Sequence, residues 1–238
     1  MRLDKYLTDC GIDSRSNCKK YIRQGRVTVN DRVEKNEARH VSDADNICFD
    51  NTPVVLKSGL YLMFYKPSGC VCALRDAMHQ TVIDYFPDDY KKRLLIAGRL
   101  DKDTEGILFL TDDGAFIHHL MSPKKHVDKT YYFEAEGRLD PQAVEIAAKG
   151  MDIGDDTPLK PAKLEILTND TVRSSGILTI CEGRYHQVKR MVHLLGAEVV
   201  RLKRLAIGSI SLDEALEPGQ FRALTDSELE ALHYKIEK

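Results

Sequence analysis

Five carboxylates crowd one stretch of the chain, GRLDKDTEGILFLTDDG from Gly98 to Gly114: Asp101, Asp103, Glu105, Asp112 and Asp113. They bracket Ile107-Leu108-Phe109-Leu110, a run apolar enough to want burial on both faces of a strand. Acids at the ends of a buried strand do one of three things. One of them serves as a nucleophile or base, several hold a cation, or all of them solvate turns. The cation reading has a template behind it. Asp101-x-Asp103-x-Glu105-Gly106, with Asp112 at the twelfth position, follows the calcium-loop pattern nearly position for position. Three features oppose it: Asp at position twelve is shorter than the bidentate Glu, position nine is Phe109, and the flanks read as strand rather than helix. Asp103, Asp112 and Asp113 read as loop acids, Asp-Asp-Gly being ordinary turn chemistry. Asp101 stands apart, since Arg99 lies two residues away and a guanidinium favours an ionised carboxylate beside it.

Other side chains offer less. The six cysteines (10, 18, 48, 70, 72, 181) form no CxxC pair, so reduced, mostly buried thiols are expected. Cys70-x-Cys72 lacks the second pair that a zinc site needs. His186 and His193 fit one helix face, and His118, His119 and His126 lie elsewhere, with no acid or cysteine set to complete a metal site. These histidines are expected to be structural or to face a bound partner, and no metal is expected.

The elements that must position these groups follow from pattern. Leu3, Tyr6, Leu7 and Cys10 recur at helical spacing, with Gly11 as a stop. Ser14 is placed to cap a second helix that runs to Gly25. Val27 to Val29 and Arg32 to Glu34 flank Asn30-Asp31, a hairpin signature. Between Arg15 and Arg26 stand Arg15, Lys19, Lys20, Arg23 and Arg26 without a single acid. Like charges four apart cost a helix some stability, and a phosphate backbone offers the compensating return, so nucleic acid is the expected contact.

Beyond a linker near 54–60, Tyr61 to Tyr65 reads as a strand closed by the turn Lys66-Pro67-Ser68-Gly69. Strands are expected at Ile107 to Thr111, Tyr131 to Ala135, Ile177 to Cys181 and Val199 to Leu205. Helices are expected after Gly114, at Pro141 to Lys149, at Tyr185 to Leu195, and after the capping box Thr225-x-x-Glu228. Helices and strands mingle without strict alternation, which predicts an α+β fold on a mixed, mainly antiparallel sheet flanked by helices. The predicted division is 1–55, a linker at 56–60, and 61–238.

Charge sets limits on function. The chain's net charge of −2 excludes a protein that coats nucleic acid indiscriminately, and leaves one that uses local clusters. No apolar run approaches the ~20 residues of a membrane span. The charged start MRLDKYL argues against a secretory leader, so a cytoplasmic protein is expected.

GRLDKDTEGILFLTDDG resembles the signature of the pseudouridine synthases, in the branch that modifies ribosomal RNA. Tyr65-Lys66-Pro67-Ser68-Gly69, Lys129-Thr130-Tyr131 and Glu182-Gly183-Arg184-Tyr185-His186-Gln187-Val188-Lys189-Arg190 resemble three further motifs of that family. The N-terminal unit resembles the alpha-L RNA-binding motif. The resemblance implies isomerisation of a uridine: the N1–C1′ bond breaks, the uracil turns, and C5 joins C1′, with no cofactor. It implies Asp101 as the reacting carboxylate, Lys189 as its ion-pair partner and Tyr131 as the stacking and proton-transfer residue. Ile180 would pack on the base, Arg99 would reach a phosphate or stage the base's exit, and Lys66 and Arg184 would contact the RNA backbone. Where the wider superfamily often has Arg, Lys189 keeps the charge without the planar fork. Arg15, Lys19, Lys20, Arg23 and Arg26 would bind RNA through the N-terminal unit. The expected substrate is 16S small-subunit ribosomal RNA, naked or in a partly assembled small subunit, acted on by a monomer. Large-subunit 23S RNA and a non-catalytic assembly factor are the alternatives.

Overall fold

The computed structural model describes residues 1–42, 44–54, 59–122 and 126–232. The chain forms two compact units, Met1–Gly59 and Leu60–Lys238. Most of the expected linker, 56–58, lies outside the described residues. Among the described residues no helix is long and apolar enough to cross a membrane.

In the first unit, α1 (Leu3–Asp9) and α2 (Arg15–Arg23) pack through Leu3, Leu7, Cys18 and Ile22, all fully buried. The Ser14 side chain accepts from Asn17 N at 3.4 Å, capping α2 as its residue type predicts. Strands β1 (Val27–Val29) and β2 (Arg32–Val33) meet through Asn30 and Asp31, whose φ angles of 52° and 63° are the left-handed pair a tight hairpin turn requires. Adding β3 (Ile47–Phe49) and β4 (Thr52–Pro53) gives a sheet of order β2-β1-β3-β4.

The basic cluster is less bare than its sequence suggests. Acids distant in sequence reach it: Asp4 faces both Arg15 (3.2 Å) and Lys19 (3.8 Å), Glu37 pairs with Arg23, and Asp50 pairs with Arg26. Lys20 has no acid partner among the described residues. Asp4 alone is fully buried, so one enclosed carboxylate serves several cations whose outer surfaces stay in solvent.

The second unit is built on one large sheet. Its strands are β5 (Tyr61–Lys66), β6 (Leu95–Ala97), β7 (Glu105–Thr111), β8 (Lys129–Glu136), β9 (Lys163–Asn169), β10 (Arg173–Ile180), β11 (Glu198–Ile207), β12 (Ile210–Ser211) and β13 (Phe221–Ala223). The order is β13-β5-β7-β11-β8-β10-β9, with β12 on β11 and β6 on β7. All pairings are antiparallel except β7 with β11, which run parallel. β5 takes one edge of β7 along most of its length. The other edge is divided, β11 pairing with Glu105 and Gly106 and β6 with Phe109 to Thr111.

Around the sheet lie α3 (Asp88–Lys91), α4 (Gly114–Met121), α5 (Ala143–Lys149), α6 (Gln187–Leu194) and α7 (Asp226–Ala231). One apolar cluster joins Phe133, Leu139, Leu178, Met191 and Leu202, fixing α5 and α6 to β8, β10 and β11. The sequence pattern predicts neither the short strands β6, β12 and β13 nor the seven-residue β9. β9 has only Leu164 fully inward, and a strand with one buried apolar residue gives little alternation to read. The helices expected from Pro141 and Tyr185 start later, at Ala143 and Gln187.

Candidate active site

The turn carrying Asp101 is held from below by Lys66. This side chain is 0 % exposed, and its Nζ donates to the carbonyls of Thr104 (2.8 Å), Pro67 (3.0 Å) and Lys102 (3.2 Å). Burial pushes its ammonium below the ordinary lysine value. The expectation that Lys66 touches RNA is therefore corrected, since its three donors are spent on carbonyls and it has no solvent face. Gly69 N adds a 2.7 Å bond to Lys102 O, and Thr104 N closes the turn on Asp101 O at 3.1 Å.

Gly106 ends the turn with φ of 114°, and a Cβ there would lie 2.2 Å from Arg204 O. Only glycine lets β7 lie against β11 at this point, which brings the Asp101 turn beside the centre of the sheet.

A cavity above the turn is lined by Arg99, Asp101, Thr104, Tyr131, Ile180, Arg184, His186 and Lys189, among others. Tyr131 projects from β8, opposite Leu178 on β10 and Arg204 on β11. Its hydroxyl has no protein partner among the described residues. Ile180, at the end of β10, supplies an apolar wall to the same cavity. Arg99 is exposed at the margin.

The first turn of α6 delivers Lys189, while His186 caps it in a left-handed conformation (φ 49°). Lys189 Nζ lies 3.8 Å from Asp101 Oδ2 and 2.7 Å from both oxygens of Asp103. His186 Nε2 lies 3.5 Å from Asp101 Oδ1. Asp101 is 29 % exposed and Lys189 23 %, so their attraction in the free protein is that of a partly solvated pair, about 1 kcal/mol, not that of a buried one. Partial burial works against the Asp103 charge, but the Lys189 hydrogen bonds hold its carboxyl below the ordinary range.

Several expectations change here. Asp103 is an exposed turn acid, as its pattern predicts, but it is also the closest carboxylate partner of Lys189. Arg184 is not free for RNA backbone, because its N–H groups are spent on Glu182, Asp155, Thr157 and Pro158, tying the 155–158 loop to the segment before α6. Asp113 caps α4 and accepts from the Tyr61 hydroxyl, and Asp112 pairs with Arg93 and accepts from Leu60 N. The calcium-loop match fails on geometry, since β7 runs extended between Asp101 and Asp112 and holds them at opposite ends. His193 pairs with Glu198, away from His186.

Two contributors escape a reading by pattern. His186 reaches Asp101 only because of its left-handed backbone, which its residue type does not announce. Arg204 is buried on β11 with no carboxylate partner among the described residues. Its Nε donates to Ile107 O (2.9 Å), and its guanidinium lies 6.0 Å from the Tyr131 ring. The signal was its position two residues from the buried Leu202 on the same strand face.

Asp101 beside two cation-forming side chains, with Tyr131 and an apolar wall in the same cavity, suits a carboxylate that works on a captured planar ring. Comparison with known proteins agrees. Residues 60–194 match the family model described as RNA pseudouridylate synthase, and residues 1–47 match the S4 domain. A ribosomal small subunit pseudouridine synthase A of Pasteurella multocida is 44% identical over 231 residues, 96% of this chain and 98% of that one. An uncharacterised RNA pseudouridine synthase of Bacillus subtilis is 43% identical over 235 residues, 98% of each. A crystal structure of a pseudouridylate synthase superposes with a TM-score of 0.70 at 41% identity, covering 98% of this chain and 99% of that one. The chain therefore belongs to the RNA pseudouridylate synthase family and is an RNA-modifying isomerase with an N-terminal S4 domain.

Proposed function

We propose that the protein isomerises one uridine of 16S small-subunit ribosomal RNA, with Asp101 as the reacting carboxylate. The observation that carries this is the meeting of Asp101, Tyr131 and Lys189, from three separate stretches of sequence, in one cavity. Full-length similarity to a relative named for the ribosomal small subunit supports the choice of RNA.

The reaction rearranges bonds without net loss or gain. The N1–C1′ bond breaks, the uracil rotates, C5 bonds to C1′, and the C5 proton is lost as N1 gains one. A glycosidase needs two carboxylates because it sends its leaving group away and brings in water. Here the base stays, so one ionised carboxylate suffices and water must be kept out. Two routes are open to Asp101: attack at C1′, or removal of a sugar proton. Both need the charged form, and the Lys189 ammonium lies 3.8 Å from Asp101 Oδ2. RNA seated over the cavity displaces water from this partly exposed pair and strengthens it.

Tyr131 and Ile180 hold the extruded base, and the Tyr131 hydroxyl is placed to move a proton. Arg99 meets a phosphate at the cavity margin. Residues 1–55 form the RNA-binding domain, through Arg15, Lys19, Lys20, Arg23 and Arg26, and 61–238 the catalytic domain. The enzyme acts as a cytoplasmic monomer on ribosomal RNA or a partly assembled small subunit.

The test is to map pseudouridines in ribosomal RNA from cells with and without this chain, and with Asp101→Asn. One small-subunit site should vanish in both the deletion and the variant, while purified Asp101→Asn still binds the RNA. A lost large-subunit site would move the substrate. Turnover by Asp101→Asn would refute the assignment.

A further inference from the structure

Tyr185 is 75 % exposed, yet its ring is held in place. It lies flat on the His186 imidazole, with centroids 3.8 Å apart and planes 18° apart. His186 in turn lines the cavity and approaches Asp101. One face of the Tyr185 ring is covered by a cavity-wall residue, and its high exposure leaves the other face open beside the cavity mouth.

The turn that presents this pair is hydrogen-bonded to α6 and to the 155–158 loop. His186 holds a left-handed conformation that non-glycine residues seldom adopt. Arg190 Nη1 donates to Tyr185 O at 3.4 Å, and Arg190 N donates to His186 O at 2.9 Å. Arg184, immediately before, is fastened to the 155–158 loop. A single exposed aromatic needs no explanation on an ordinary surface. Here an unfavourable backbone conformation holds two parallel rings at the edge of the site.

Extruding a uridine breaks the stack of the RNA strand and leaves a neighbouring base without a partner on one face. A flat, open aromatic ring next to the cavity replaces that partner, whatever the neighbouring base is. We propose that Tyr185 stacks on the nucleobase flanking the extruded uridine and so registers the strand at the cavity mouth. This rests on the RNA-isomerising function proposed above and extends it to a second nucleotide.

The chain has no tryptophan, so Tyr185→Trp introduces a lone indole reporter. Tyr185 belongs to no buried cluster, and its truncation leaves the core intact. The probe is unmodified small-subunit ribosomal RNA transcript, both free and in a partly assembled small subunit. Its conversion by the wild-type enzyme is measured first, and binding is then followed in Tyr185→Trp carrying Asp101→Asn. The indole should be quenched on binding. Tyr185→Ala should raise KM roughly 5- to 150-fold, the range that loss of one base–aromatic stack gives, with a smaller change in kcat. Tyr185→Phe should restore KM to within about twofold, because its ring stacks as well. If the wild type converts the RNA but the indole stays unquenched, or Tyr185→Ala keeps its KM, the stacking role is overturned and the isomerase reading stands. A fall in kcat alone would make Tyr185 a support for His186 and also overturn it. No conversion by the wild type removes the substrate reading and this inference together.

Discussion

Lys189 and Asp103 form the tightest ion pair at the site, with Nζ 2.7 Å from both carboxylate oxygens, while Asp101 stands 3.8 Å from the same nitrogen. The ammonium is thus shared unequally between the carboxylate proposed to react and one that holds it in place. Asp103→Asn would free Lys189 to close on Asp101. A partly exposed ion pair is worth about 1 kcal/mol, so kcat should change by less than about tenfold in either direction. Asp101→Asn should lose turnover altogether. Single-turnover conversion of the same RNA by both variants separates the roles. An Asp103→Asn enzyme as inactive as Asp101→Asn would show that the reacting carboxylate had been misassigned.

Tyr131→Phe removes one oxygen and keeps the ring. The ring's place between β10 and β11 and its contact with the Arg204 guanidinium should persist. Affinity for RNA should stay within about twofold, because stacking is a property of the ring. Turnover should fall by about 10²-fold or more if the hydroxyl moves a proton in the rate-limiting step. A wild-type rate would confine Tyr131 to packing against the base.

Lys66 supports Asp101 without meeting substrate, and Lys66→Met tests that arrangement. The thioether fills the same channel but takes the ammonium donor away from the carbonyls of Pro67, Lys102 and Thr104, of which Lys102 keeps its bond from Gly69 N. The wild-type ammonium is itself opposed by burial, which offsets part of the loss. The net cost should be about 1–3 kcal/mol of stability, read by denaturant unfolding. Loosening of the Asp101 turn should also lower kcat with little change in KM. A variant that unfolds earlier but turns over normally would show that the turn holds its shape without Lys66.

The sequence made visible what depends on local chemistry and hid what depends on the approach of distant segments. The Asn30-Asp31 hairpin, the Ser14 cap and the Thr225–Glu228 capping box are written in adjacent residues, and all three occur in the structure. The buried strand at Ile107 to Leu110 was legible from its unbroken apolar run. The fate of charged side chains was not. Lys66 reads as a turn lysine, and only the convergence of three carbonyls explains its burial. Arg184 sits in a motif suited to RNA, yet its donors are taken by a loop almost thirty residues earlier. The cations of α2 look uncompensated until Asp4, Glu37 and Asp50 arrive from other elements. Hydrophobic pattern is periodic and survives in one dimension, whereas ion pairing is set by where the fold brings the partners.

Asp4 yields a pH dependence with a definite sign. Its carboxylate is buried, which by itself would raise its pKa, but hydrogen bonds from Arg2 and Arg15 outweigh burial and bring it down to about 2. The unfolded value is about 3.9, so between the two values the unfolded chain binds the extra proton. The stabilisation is complete above about pH 4 and is lost as pH falls towards 2. Its guanidinium partners are partly solvated, so it should amount to about 1–2 kcal/mol rather than the full equivalent of the shift. Asp4→Asn should remove it at pH 7 and leave the first unit insensitive to this titration. Amide hydrogen exchange in α1 and α2 of the full chain, compared between wild type and variant, should show a protection difference at pH 7 that closes by pH 2. A difference that stays constant across that interval would mean that Asp4 acts through shape and hydrogen bonding alone, with its charge carrying no weight.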